Sequence, residues 1–129
     1  MSSHGSFATV INCMDGRTQL PVNTWIKQKY GVDYVDTVTE PGPDGILAKN
    51  EDQATLASMK KRVTISVEKH GSKTVVIVAH TECAGNPVSE AEHKEHVKKA
   101  MQTVKNWGFP VKIAAVWVGE AWTVEEVNE

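Results

Sequence analysis

Short apolar runs alternate with longer mixed segments along this chain. The segments FATVINC (7–13), TVVIVAH (74–80) and VKIAAVWVGE (111–120) are rich in β-branched and other apolar residues, as buried strands are. VDYVDTVT (32–39) alternates apolar and polar residues, which is typical of a strand with two different faces. The pattern therefore predicts four strands.

The segments between these strands have the three- and four-residue apolar spacing of helices. They cover residues 20–31, 50–71 and 89–108. Leu20, Trp25 and Ile26 can form the apolar side of the first helix.

The ends of the second and third helices carry capping signals. Asn50 or Asp52 can cap the second helix, and its basic end, which includes His70, suits the helix dipole. Ser89 with Glu92 three residues later forms a capping box at the start of the third.

Three remaining segments have no strong periodicity. EPGPDG (40–45) predicts a loop, either a plain turn or a loop that contacts substrate. TVEEVNE (123–129) predicts a short terminal helix or a tail, and His4 lies in a Ser/Gly-rich start to which we assign no role.

The resulting order is β-α-β-α-β-α-β. Alternation of this kind predicts an α/β fold of three layers, in which a mainly parallel sheet has helices on both faces. We expect residues 1–129 to form a single domain.

Composition narrows the range of partners. The chain is 40% hydrophobic and 23% charged, with a net charge of −2, and it has no basic block that would suit nucleic acid. No apolar run is long enough to cross a membrane, and the first residues lack the pattern of a signal peptide. We therefore expect a cytoplasmic protein whose partner is neither nucleic acid nor a membrane.

Both cysteines lie where apolar runs end. Cys13 ends the first predicted strand, His80 ends the third, and Cys83 follows three residues later. If these strands are neighbours, the three side chains meet at the carboxyl edge of the sheet, where α/β proteins form their sites. Two thiolates and an imidazole suit Zn²⁺, and three protein ligands leave a fourth position open for chemistry.

Asp15 and Arg17 follow Cys13 at spacings of two residues. Asp15 is close enough to reach the fourth metal position, whereas a two-pronged pair with Arg17 would hold it away. The sequence leaves both states open, as well as a structural ion pair without a chemical role.

The order C-x-D-x-R after a first strand and H-x-x-C after a third resembles the β-class carbonic anhydrases. The resemblance runs from about Val10 to about Gly119. It implies Cys13, His80 and Cys83 as zinc ligands and Asp15 with Arg17 as a catalytic dyad. It also implies hydration of CO2 to bicarbonate, and assembly as a homodimer or a higher homo-oligomer.

Two departures from the family pattern concern the pocket. Gly16 stands where the family usually has serine, and TEPG (39–42) stands where an R-N-A-G segment is usual. Zinc binding is therefore a firmer expectation than the substrate. Alternatives are hydrolysis of carbonyl sulfide or carbon disulfide, a non-catalytic zinc domain, and a thiol redox protein. The spacing of a phosphatase loop is absent.

The other histidines and the tryptophans have simpler interpretations. His93 and His96 share a helix face, which could hold a metal or relay protons but more often is solvated. The four tryptophans predict core or interface positions rather than an aromatic cage. They are Trp25, Trp107, Trp117 and Trp122.

Overall fold

A computed structural model describes residues 5–128, which form five strands and four helices. The strands are β1 (Phe7–Cys13), β2 (Tyr34–Glu40), β3 (Thr74–His80), β4 (Lys112–Val118) and β5 (Val124–Val127). The helices are α1 (Gln19–Tyr30), α2 (Pro43–Lys49), α3 (Gln53–His70) and α4 (Glu90–Lys105). His4 lies outside the described residues.

The strands form one sheet in the order β2-β1-β3-β4-β5. The first four are parallel, and β5 runs antiparallel beside β4. The chain moves outward from β1 to β2 and then returns to place β3 on the other side of β1. The strand order therefore reverses between β1 and β3, which is the position where parallel sheets open a crevice for ligands.

Apolar side chains cover both faces of the sheet. On one face, Met59 of α3 and Val97 of α4 pack with Ile77 of β3 in a buried cluster. On the other face, Val22 and Ile26 of α1 pack on the alternate residues of β1, β3 and β4. The three-layer α/β fold with a mainly parallel sheet is thus confirmed.

Two predicted helix caps are present. The Asp52 carboxylate accepts a hydrogen bond from the Thr55 backbone N–H at 3.1 Å, at the start of α3. The Ser89 hydroxyl accepts one from the Glu92 backbone N–H at 3.2 Å, at the start of α4. Each side chain satisfies a backbone donor that the first helical turn leaves free.

Three expectations from the sequence were wrong. EPGPDG is not wholly a loop, because α2 begins within it: Gly42 adopts a left-handed φ of 64° and Pro43 occupies the first turn. The terminal segment is neither helix nor tail, because residues 124–127 pair with the otherwise open edge of β4. Leu20 does not join the apolar side of α1, since it is 76% exposed.

No helix among residues 5–128 has both the length and the apolar character needed to cross a bilayer.

Candidate metal centre

The candidate site lies at the carboxyl edge of the sheet, where β1 and β3 end side by side. Cys13 is the last residue of β1 and His80 is the last residue of β3. Cys83 follows on the turn after β3. Because β1 and β3 pair directly, the two motifs that are distant in sequence converge at the switch point of the sheet.

Three potential ligand atoms come together there. One atom each from Cys13, His80 and Cys83 lies within 4.8 Å of the other two, and all three residues are buried. The two Sγ atoms are 3.9 Å apart, and both cysteines are free thiols. The cluster could therefore hold a metal ion.

A backbone contact sets the orientation of the His80 ring. Nδ1 lies 2.6 Å from the Thr81 carbonyl oxygen, and because a carbonyl can only accept, Nδ1 carries the proton. In the neutral ring this leaves Nε2 with its lone pair. Nε2 is buried and has no hydrogen-bond partner among the described residues. A buried, unpartnered acceptor is costly unless something binds it, and a metal ion would do so.

The two thiols have opposite pKa shifts because they share one proton. The hydrogen bond from Cys83 holds the pKa of Cys13 at about 4 despite burial, and nearby His80 acts in the same direction. That hydrogen bond, together with burial, raises the pKa of Cys83. Burial opposes a charge on His80, but the adjacent Cys13 thiolate raises its pKa overall.

Backbone N–H groups also point at the two sulfurs. Those of Gly42 and Asp15 lower the pKa of the Cys13 thiol, and those of Asn86 and Gly85 lower the pKa of the Cys83 thiol. Such donors stabilise thiolates without adding a competing charge. These donors favour the thiolate form of each sulfur, which is the form that binds metal, and on Cys83 they partly offset burial and the neighbouring charge.

Three polar side chains, of which Asn12 and Thr18 are buried, hold the loop after β1. The Asn12 side-chain oxygen accepts from the Cys13 backbone N–H at 2.7 Å and from the Thr18 hydroxyl at 3.1 Å. The Gln19 amide donates to the Cys13 carbonyl at 2.7 Å. These contacts position Cys13 on its turn, although the sequence analysis did not single out any of the three partners.

Asp15 is held by Arg17. The guanidinium donates from Nε to Oδ1 at 3.0 Å and from Nη2 to Oδ2 at 2.7 Å, and the Arg17 backbone N–H also reaches Oδ1 at 2.9 Å. The hydrogen bonds from Arg17 lower the pKa of Asp15 to about 2. Of the two states that the sequence left open, the structure has the one in which Asp15 pairs with Arg17.

Two further residues hold Arg17. Nη1 donates to the Glu82 carboxylate at 3.0 Å, and the guanidinium carbon lies 4.6 Å from the ring centre of Trp122. Both partners have left-handed backbones, with φ of 55° at Glu82 and 56° at Trp122. Sequence reasoning missed Glu82 altogether and assigned Trp122 only to the core or an interface.

A profile of the family described as "Putative carbonic anhydrase" matches residues 3–128. The chain belongs to that family. A search of curated proteins gives no match.

Solved structures of carbonic anhydrases have a similar fold. The carbonic anhydrase of Streptococcus mutans aligns with a TM-score of 0.64 and 18% identity, covering 95% of this chain and 81% of that one. β-Carbonic anhydrase isoform I of Trichomonas vaginalis aligns with a TM-score of 0.61 and 13% identity, covering 94% and 81%. The β-carbonic anhydrase of Aspergillus fumigatus gives 0.53 and 15%, covering 97% and 76%.

The other histidines within residues 5–128 of this carbonic anhydrase family member are not part of the cluster. His93 is buried rather than solvated, because its Nδ1 contacts the Asp44 carboxylate at 2.7 Å. His96 is half-buried and accepts from the Asn86 amide at 3.0 Å. His70 ends α3 as expected and pairs with Asp36 at 2.6 Å.

The four tryptophans are at least partly buried, and Trp117 lies in the core. Gly42 ends the segment 39–42 and is close enough for its backbone N–H to lower the pKa of Cys13, so this segment borders the candidate cluster.

Proposed function

We propose that this protein is a zinc-dependent carbonic anhydrase that hydrates CO2 to bicarbonate. The observation that carries the proposal is the buried cluster of Cys13, His80 and Cys83 with an unpartnered Nε2. Two thiolates bound to one tetrahedral zinc, each about 2.3 Å from it, lie roughly 3.8 Å apart. The 3.9 Å between the two Sγ atoms fits that ion.

In this proposal Cys13, His80 and Cys83 hold the metal. When bound, zinc supplies the Lewis acidity that makes water nucleophilic near neutral pH. Asp15 stays ionised and accepts a hydrogen bond from the attacking water, so that a lone pair of the water oxygen points at the carbon of CO2. Arg17 holds Asp15 in that orientation and keeps its carboxylate off the metal.

Stopped-flow CO2 hydration combined with metal analysis tests the proposal. We expect zinc-loaded wild-type protein to be active and Asp15→Asn to retain zinc while losing on the order of 10²-fold or more in kcat/KM. Asp33→Asn is the matched control, because Asp33 lies before β2 at the opposite edge of the sheet. Stoichiometric zinc without any CO2 hydration in the wild type would refute the proposed activity.

The pH dependence gives a second check. Two thiolates cancel the formal charge of Zn²⁺, so the metal is a weaker acid than one held by three neutral histidines. We expect the rate to rise on the alkaline side of neutral. A profile that is flat from about pH 6 to about pH 9 contradicts control by ionisation of the attacking water.

Three alternatives remain as outcomes of these assays. Release of sulfide from carbonyl sulfide or carbon disulfide, measured beside CO2 hydration, identifies the related hydrolase. A non-catalytic zinc domain requires Asp15 on the metal, whereas its two hydrogen bonds from the Arg17 side chain favour an open position. A redox role requires Cys13 and Cys83 to cycle between free thiols and a disulfide, and stoichiometric zinc that protects both thiols from alkylation would exclude it.

We also infer that the protein is cytoplasmic and forms a homodimer or a higher homo-oligomer. Met14 and Leu20, on the loop and helix that follow Cys13, are 66% and 76% exposed, and a second copy that packs on this region would bury them. Sedimentation of the wild type and Leu20→Lys tests the assembly. If the wild type and Leu20→Lys both sediment as monomers, the proposed assembly is contradicted.

A further inference from the structure

We propose that Asp44, His93 and Asn86 form a buried positioning network for the metal centre, an inference that rests on the proposed zinc site. Within residues 5–128 their side chains make no hydrogen bond to Cys13, His80 or Cys83, yet they join the two backbone segments whose N–H groups point at the sulfurs. The network therefore affects metal binding indirectly, by positioning the backbone groups that surround the two thiolates.

The network is centred on one carboxylate oxygen. His93 Nδ1 donates to Asp44 Oδ2 at 2.7 Å, and the Asn86 amide donates to the same oxygen at 3.2 Å. The other amide proton of Asn86 goes to His96 Nδ1 at 3.0 Å. The His93 ring also packs against Trp117, with ring centres 5.4 Å apart.

These residues are buried, so a hydrogen bond that is lost from the network is not replaced by solvent. Asp44 and His93 are each 1% exposed, and Asn86 is 4% exposed. A buried carboxylate that loses its donors is left without compensation, so removal of one partner must disturb the others. Asp44 Oδ1 and His93 Nε2 have no partner among the described residues, which leaves the pair dependent on the contacts that it does make.

The network connects the segment at 42–44 with the turn at 84–86. Asp44 is in the first turn of α2, two residues after Gly42, whose N–H points at Cys13. Asn86 follows Gly85, and the N–H groups of both point at Cys83. A side chain at Gly42 would come within 2.9 Å of Gly85 and Asn86, so the two loops are already in close contact.

Loss of the Asp44–His93–Asn86 network should weaken metal binding. Groups that orient the environment of metal ligands change affinity by about 10- to 100-fold when they are mutated. His93→Leu fills a similar volume without a donor. His93→Asn places its amide nitrogen where Nδ1 was, so it can still donate to Asp44 and should rescue the loss.

The experiment measures Zn²⁺ affinity by competition with a chelator, without substrate. We expect His93→Leu to bind Zn²⁺ at least about 10-fold more weakly than wild type, and His93→Asn to stay within about 3-fold. Val104→Ala is the control for general destabilisation, because Val104 is buried on the same helix but belongs to the apolar core. It should leave the affinity within about 3-fold of wild type.

A second measurement uses the metal-free protein. Alkylation followed by peptide mapping should show faster modification of Cys83 in His93→Leu than in wild type, because the 84–86 turn loses its anchor. Asn86→Ala, which keeps the His93–Asp44 pair, should have the same effect. It replaces His93→Leu in the experiment if that variant does not fold.

Several results would overturn the inference. They are wild-type affinity in folded His93→Leu, wild-type affinity in folded Asn86→Ala, failure of His93→Asn to rescue, and an equal loss of affinity in Val104→Ala. Failure of the proposed function is distinguishable, because a wild type that binds Zn²⁺ but does not hydrate CO2 leaves the affinity comparison intact.

Discussion

The proposed zinc site predicts that removal of metal lowers the unfolding temperature of this protein strongly. The two cysteines of the cluster are 70 residues apart in sequence and meet only in the folded sheet. An unfolded chain offers only His80 and Cys83 as near neighbours. Because a third ligand is missing from that pair, the metal should bind the folded state far more tightly, and binding should stabilise it.

The size of this effect follows from linkage. Free metal at roughly 1,000 times its dissociation constant adds about 4 kcal/mol to the free energy of unfolding. An unfolding entropy of about 2.1 cal/mol/K per residue amounts, for 129 residues, to about 0.27 kcal/mol/K. The expected rise in Tm is therefore about 15 °C.

Scanning calorimetry can test this value with the protein in zinc and in excess chelator. Cys83→Ala is the matched control, because it removes one buried sulfur and leaves the pairing of β1 with β3 in place. Its Tm should respond little to zinc. A wild-type shift below about 3 °C, or a shift in Cys83→Ala as large as in wild type, would refute the reasoning that these residues form a folded-state metal site.

Three further predictions concern the scaffold. Ile26→Ala leaves a cavity at a fully buried position of α1 and should lower the free energy of unfolding, measured in urea, by about 2–5 kcal/mol. A decrease below about 1 kcal/mol would contradict tight packing at this position. Gly85→Ala places a methyl 2.7 Å from the Pro41 carbonyl oxygen and should weaken Zn²⁺ binding in chelator competition, whereas unchanged binding would show that the turn adapts. Hydrogen bonds from Thr55 lower the pKa of Asp52. The ionised Asp52 cap therefore stabilises the folded state above the unfolded pKa of about 4, and this contribution is lost as the pH falls. Thermal melts of Asp52→Ala and wild type should differ at neutral pH and converge in acid, and a difference independent of pH would contradict the cap.

Much of the sheet could be predicted because its central strands are buried on both faces. Such strands are continuous apolar runs, and both β1 and β3 end at the residue where the run meets polar sequence. The edge elements have weaker patterns. β5 has the sequence VEEV, which forms a strand only because β4 offers an unpaired edge.

The convergence of Cys13, His80 and Cys83 was predictable because each residue lies at or just after a strand end. The surroundings of the cluster depend on tertiary contacts that no local pattern encodes. Glu82 and Trp122, which both have left-handed backbones, contact Arg17 only in the folded chain. His93 looks solvated among Glu and Lys, but the unexpected helix α2 brings Asp44 against it and Trp117 packs on its ring.

The contact between His80 and the Thr81 carbonyl has a consequence for redesign of this protein. The group that selects the tautomer belongs to the main chain, so replacing the Thr81 side chain leaves it in place. Variants that aim to change the electron donation of the imidazole must therefore alter the path of the backbone after β3. Side-chain libraries at that position should leave the ring orientation unchanged.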